Sequence, residues 1–80
     1  MGERVLEEFP SPDGRRLVII VQRRDGLCSY RLCLAAETQT GMSWGPPGPH
    51  LGVYGSAETA ELELAARYGH VRLASALKRR

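Results

Sequence analysis

Apolar and polar residues follow a strand-like pattern over two neighbouring segments in the first half of the chain. Residues Arg15–Arg23 enclose a mostly β-branched apolar run, which is typical of a buried strand. Residues Leu27–Ala36 alternate between apolar and polar positions, which predicts a second strand. Asp25-Gly26 between them favours a tight hairpin turn, so the pattern predicts an antiparallel pair.

A two-residue turn at Asp25-Gly26 would fix the register of this hairpin. Val21 would lie opposite Tyr30, and Ile19 opposite Leu32. The core face would then carry Leu17, Ile19, Val21, Cys28, Tyr30, Leu32 and Leu34. The outer face would carry Arg16, Val18, Ile20, Gln22, Arg24, Ser29, Arg31 and Cys33. A longer, bulged turn would shift this register and exchange some of the assignments.

The remaining segments predict two further strands and a helix. Arg4–Phe9 and Leu51–Tyr54 are short strand candidates, separated in sequence by a polar loop over Glu37–His50. Ser56 is a suitable N-cap for a helix over Ala57–Tyr68, and Gly69 is a suitable residue to end it.

The predicted class is therefore α+β, an antiparallel three- or four-stranded sheet with one main C-terminal helix packed on one face. The domain is expected to span residues 1–69, and residues 70–80 are expected to form a basic tail, as a short helix or frayed. At 80 residues and 8.8 kDa the chain has room for one domain, whose stability will be modest.

The positions of the charged residues and of the cysteines indicate a basic C-terminal tail and a cytoplasmic location. All nine acidic residues precede Arg67, so the positive charge collects in the tail. Cys28 and Cys33 lie on opposite faces of one predicted strand, too far apart to pair, and reduced thiols suit a cytoplasmic protein. No segment is apolar for the about 20 residues of a membrane span, and the N-terminus predicts no signal peptide.

No arrangement of residues predicts a catalytic, cofactor or metal site. Gly41–Gly45 matches the Gly-x-Ser-x-Gly pattern of a nucleophile elbow, but Pro46-Pro47 forbids the helix that must follow it. The histidines and cysteines do not converge in sequence as metal ligands do. We therefore expect a non-enzymatic protein without a cofactor or a small-molecule substrate. Trp44 is expected to fill the edge of the core, with a role in partner contact as the alternative.

The segment Leu51–Glu61 resembles the junction between the last strand and the helix of the plant ethylene-response-factor DNA-binding domain. Related domains with three strands and a helix occur at the N-termini of some phage integrases. Tyr54, Ser56, Glu58 and Ala60 occupy the family's positions for the aromatic residue, the cap and the helix start. The resemblance implies a sheet whose outer face contacts DNA. The long Glu37–His50 loop and the additional N-terminal strand depart from the family's pattern.

The predicted outer face points to a binding module, because it is half apolar and carries three arginines. Protein–protein interaction is the first hypothesis, with a homodimer as one form. Its candidate interface comprises Arg16, Val18, Ile20, Arg24, Arg31 and Cys33. Nucleic-acid binding is the alternative. Its candidate contacts are Arg16, Arg24, Arg31, Arg72, Lys78, Arg79 and Arg80. No membrane partner is expected.

Overall fold

The structure is a computed structural model that describes residues 3–78, and for Lys78 the backbone alone. It has an antiparallel sheet followed by two helices, which confirms the α+β class. The strands are β1 (Arg4–Pro10), β2 (Arg16–Gln22), β3 (Cys28–Thr38), β4 (Gly41–Trp44) and β5 (Leu51–Tyr54). The helices are α1 (Ala57–Arg67) and α2 (Gly69–Lys78).

The long strand β3 organises the sheet, because three other strands pair with it. β2 pairs along its first part, and β1 adds on the far side of β2. On its other edge β3 pairs with β5 near Cys28 and with β4 over Ala35–Thr38. Beyond the start of β2 the β3–β4 pair continues alone, and this two-stranded part, residues 34–44, is called the ribbon below.

The register of the β2–β3 hairpin differs from the predicted one by a single residue. Ile20 lies opposite Tyr30, and Val18 lies opposite Leu32. Directly opposed residues share a face, so Val18 and Ile20 face the helices together with Tyr30. The prediction that Val18 and Ile20 lie on the outer face is therefore wrong. The faces assigned to β3 were right, whereas those assigned to β2 were inverted.

The turn between the two strands explains the shift. The Gly26 N–H donates to the Arg23 carbonyl at 3.0 Å, and the Arg23 N–H donates to the Leu27 carbonyl at 2.8 Å. These bonds enclose a three-residue loop with Gly26 at φ 86°, a left-handed conformation that glycine adopts without strain. One residue more than the predicted turn moves every β2 side chain to the other face.

The main core lies between the sheet and the helices. It contains Phe9, Val18, Ile20, Tyr30, Ala60, Leu64 and Val71. Helix α1 begins after Ser56, whose hydroxyl accepts the Thr59 N–H at 3.2 Å, so the predicted cap is confirmed. Tyr68 ends α1, and Gly69 begins α2 instead of only ending α1. Val71 in α2 is fully buried, so this segment packs as part of the core.

Candidate functional site

The predicted interface residues do not form one surface. Val18 and Ile20 are buried under the helices, and Cys33 is buried on the opposite face. Arg16 is exposed at the start of β2, whereas Arg24 is exposed in the β2–β3 turn at the other end of that strand. The predicted grouping of arginines around an apolar patch is therefore wrong, because it depended on the two-residue turn.

The predicted nucleic-acid contacts are also dispersed. Arg72 is exposed on α2, and Arg31 is partly buried by contacts within the chain. The side chain of Lys78, and all of Arg79 and Arg80, lie outside the described residues. Arg16 lies at the start of β2, opposite the exposed Leu34.

The outer face of the sheet holds a second, small apolar cluster. Leu17, Ile19, Val21 and Cys33 are all buried there. Glu3, directly before β1, contacts Arg31 in β3, although β2 lies between those strands. The sheet therefore curls over its outer face and encloses the cluster. Cys28 and Cys33 are free and lie on opposite faces, as predicted.

A network of polar side chains closes this outer face. Arg31 donates to the Glu3 carboxylate at 2.7 Å, to the Gly48 carbonyl at 2.6 Å and to the Pro47 carbonyl at 3.2 Å. His50 Nε2 lies 2.7 Å from the other Glu3 oxygen. These contacts tie the segment before β1 and the proline-rich loop to the middle of β3. We call Glu3, Ser29, Arg31 and His50 the Glu3–Arg31 network.

The network includes an acid–histidine–serine order, because His50 Nδ1 lies 2.7 Å from the Ser29 hydroxyl. Ser29 is 0% exposed, so no substrate reaches its hydroxyl. A nucleophilic serine must be accessible to its substrate. In this conformation the arrangement therefore serves to satisfy buried polar atoms.

The Glu3–Arg31 network lowers the pKa of the Glu3 carboxyl. Partial burial raises its pKa, but the hydrogen bonds and charges of Arg31 and His50 outweigh that effect. The net result is a pKa below the ordinary value of 4.5. Glu3 therefore remains ionised, and its charge is matched inside the network.

The opposite end of the sheet leaves apolar side chains uncovered. On the ribbon, Leu34 is 64% exposed, Met42 is 65% exposed and Trp44 is 39% exposed. The prediction that Trp44 fills the core's edge is wrong, because residues 41–44 form strand β4 instead of a loop. Arg16 lies opposite Leu34, and the Ala35 N–H donates to the Arg15 carbonyl at 2.8 Å. We call Arg15, Arg16, Leu34, Met42 and Trp44 the open-end surface.

Shallow depressions follow one another along this surface. One of about 620 Å³ is lined by both arginines together with Leu34, Ala35, Glu37 and Met42. A second, of about 240 Å³, is lined by Met42 and Trp44. Because neighbouring depressions share lining residues, the surface is continuous. It combines apolar side chains and two guanidinium groups with the carboxylate of Glu37, and aromatic residues, methionine and arginine are the types enriched at protein interfaces.

The sequence patterns missed most of these residues. Glu3, Ser29, Arg31 and His50 are distant in sequence, and no short motif joins them. Met42 and Trp44 were missed as strand residues because glycines and prolines dominate their segment. The one local signal for a hairpin was the pair of polar residues between Thr38 and Gly41. In the structure Thr38 and Gly41 pair across the turn that these two residues form.

The described residues show no metal site, because no three His, Cys, Asp or Glu side chains among positions 3–78 come together suitably. Neither α1 nor α2 has the length and apolar character that crossing a membrane requires. No protein-family model, curated protein or solved structure matches this chain.

Proposed function

We propose that this protein is a protein-binding module that associates with a second copy of itself through the ribbon. The observation that carries the proposal is the uncharged, exposed edge strand β4. Met42 and Trp44 provide apolar area there, and Arg15, Arg16 and Leu34 form the rest of the open-end surface. Monomeric proteins rarely leave an uncharged edge strand with apolar side chains uncovered.

The backbone of β4 supports pairing with another strand. The Gly45 N–H donates to the Leu34 carbonyl at 2.8 Å. Donor direction alternates along a strand, so the backbone groups of Met42 and Trp44 point away from β3. An antiparallel β4 from a second copy would accept and donate these bonds across a two-fold axis.

Strand β1, on the opposite side of the sheet from β4, is a poorer candidate for pairing. β1 carries Arg4, Glu7 and Glu8, and ends at Pro10. Charged side chains and proline on an edge strand oppose pairing with a second strand. β4 contains neither, so two copies could meet there without placing like charges opposite each other.

The test is the mass in solution, measured by sedimentation velocity over a range of protein concentrations. We expect a dimer that the Met42→Asp substitution converts into a folded monomer, since an unpaired carboxylate at an apolar seam is unfavourable. Val53→Asp is the matched control, because Val53 is an exposed apolar residue of β5, at 61%. The control should leave the dimer intact.

Amide hydrogen exchange adds a residue-level measurement. The Met42 and Trp44 amides should exchange more slowly as the protein concentration rises, since pairing would bury them. A wild-type protein that remains monomeric at high concentration, or equal loss of the dimer in both variants, would contradict the proposal.

Nucleic-acid binding remains the alternative, supported by Arg15 and Arg16 beside the exposed Leu34 and Met42. A mixed-sequence DNA duplex, titrated at two salt concentrations, distinguishes the two functions. Tight binding that weakens with salt and with Arg16→Ala would favour the alternative, because each phosphate contact contributes about one unit to the salt slope. In either case we place the protein in the cytoplasm, where Cys28 and Cys33 would stay reduced.

A further inference from the structure

A separate pocket lies between the β1–β2 turn and the junction of α1 with α2. Its volume is about 570 Å³. The side chains that give it chemical character are Asp13, Arg15, Arg16, Arg67, Tyr68 and His70. We call it the turn pocket. It shares Arg15 and Arg16 with the open-end surface, but its other residues come from different elements.

The arginines of the turn pocket have spare donors. Arg15 and Arg16 are exposed, and within residues 3–78 neither forms an ion pair. Arg67 donates through Nη1 to the Tyr30 hydroxyl at 3.2 Å, and its Nη2 lies 3.9 Å from Glu63. Tyr30 therefore holds the Arg67 guanidinium in place while leaving further N–H groups available.

The one acid of the pocket is already used by the turn. Asp13 accepts the Ser11 hydroxyl at 2.5 Å and the Arg15 backbone N–H at 3.0 Å. The Ser11 hydrogen bond, with that of Arg15, lowers the pKa of Asp13, so it remains an anion fixed in the turn. Three guanidinium groups therefore face a single carboxylate.

His70 adds a positioned nitrogen. Its Nε2 lies 3.1 Å from the Phe9 carbonyl, which only accepts, so Nε2 carries a proton and donates. This contact also ties α2 to β1 and keeps the two walls of the pocket at a fixed separation.

We propose that the turn pocket binds a phosphate dianion, either free or as the monoester of a phosphorylated side chain. Guanidinium groups bind phosphate oxygens with paired hydrogen bonds, and a concave site allows several to reach one dianion. A nucleic-acid backbone instead requires a basic stripe that follows successive phosphates. Arg4, Arg23 and Arg24 lie near the opposite end of β2, and Arg31 is paired with Glu3, so none of these four extends the pocket. The proposal is independent of β4 pairing.

The experiment is an NMR titration of the ¹⁵N-labelled full chain with inorganic phosphate and with O-phosphoserine, at constant ionic strength. Saturable shifts should be confined to the amides of residues 11, 13–16 and 67–70. Arg16→Ala should weaken binding about tenfold, the effect of one charge-assisted hydrogen bond.

Arg4→Ala is the matched control, because it removes the same charge. Arg4 lies opposite Gln22, at the other end of β2 and about 20 Å from Arg16. It should leave the affinity unchanged. Shifts that do not saturate, or equal weakening in the two variants, would overturn the proposal in favour of general attraction of anions.

The probes also identify the source of the phosphate group. Tighter binding of O-phosphoserine than of inorganic phosphate would support a phosphorylated protein segment, and the reverse order would support a free phosphate. Both orders support a site for a phosphate dianion. A DNA duplex that binds the same residues more tightly than either probe would overturn it.

Discussion

Arg31 donates to a carboxylate and two backbone carbonyls, whereas Arg15 and Arg16 form no ion pair among residues 3–78. All three arginines belong to the same hairpin, yet one is committed to the fold and two remain available. The difference arises from the curl of the sheet, which brings Glu3 over β3 and leaves the ribbon projecting past β2. The Glu3–Arg31 network therefore stabilises the fold, and the open-end surface is where we propose that a second copy binds.

The largest expected difference in unfolding free energy is between a substitution in the core and one on the open-end surface. Ile20→Ala should lower the free energy of unfolding by about 3 kcal/mol, because it leaves a cavity between the sheet and the helices. Leu34→Ala removes a similar side chain from an exposed position and should cost less than about 1 kcal/mol. Urea unfolding measures both. Equal losses would mean that Leu34 is covered by the protein itself.

A second comparison sets Arg31 against Arg15. Arg31→Ala removes three hydrogen bonds from a partly buried site and should cost about 2 kcal/mol in unfolding free energy. Arg15→Ala should change stability by no more than about 0.5 kcal/mol, as for most exposed positions. Thermal and urea unfolding of the two variants provide the measurement. If Arg15→Ala destabilises as much as Arg31→Ala, the open-end surface is part of the folding core.

The smallest expected effect is the contribution of Glu3 to the change in unfolding free energy at acidic pH. Because the folded pKa of Glu3 lies below its unfolded value, its contribution is full above about pH 4.5 and is lost as the pH falls through the folded pKa. Glu3→Gln should be less stable than the wild type at neutral pH and should lose less on acidification. Unfolding free energies at pH 7 and pH 3 test this. Parallel losses in both proteins would show that Glu3 is not paired in solution.

Much of the secondary structure could be predicted from sequence. The β-branched run of β2, the alternation along β3 and the Ser56 cap each depend on neighbouring residues, and the structure has all three. β4 was missed because its four residues are too few to establish a pattern between glycines and prolines. Less of the site could be predicted. The turn has one residue more than predicted, so Val18 and Ile20 lie on the face opposite to the predicted one.

The sequence by itself determined the class of the fold, the order of the predicted strands and the start of α1, because local propensity and capping act over a few residues. The tertiary structure decided which face of β2 meets the helices, which arginines are paired and which remain free. These outcomes depend on the geometry of one turn and on the curl of the sheet. The curl brings together residues as distant in sequence as Glu3 and His50, and no local pattern predicts such a contact.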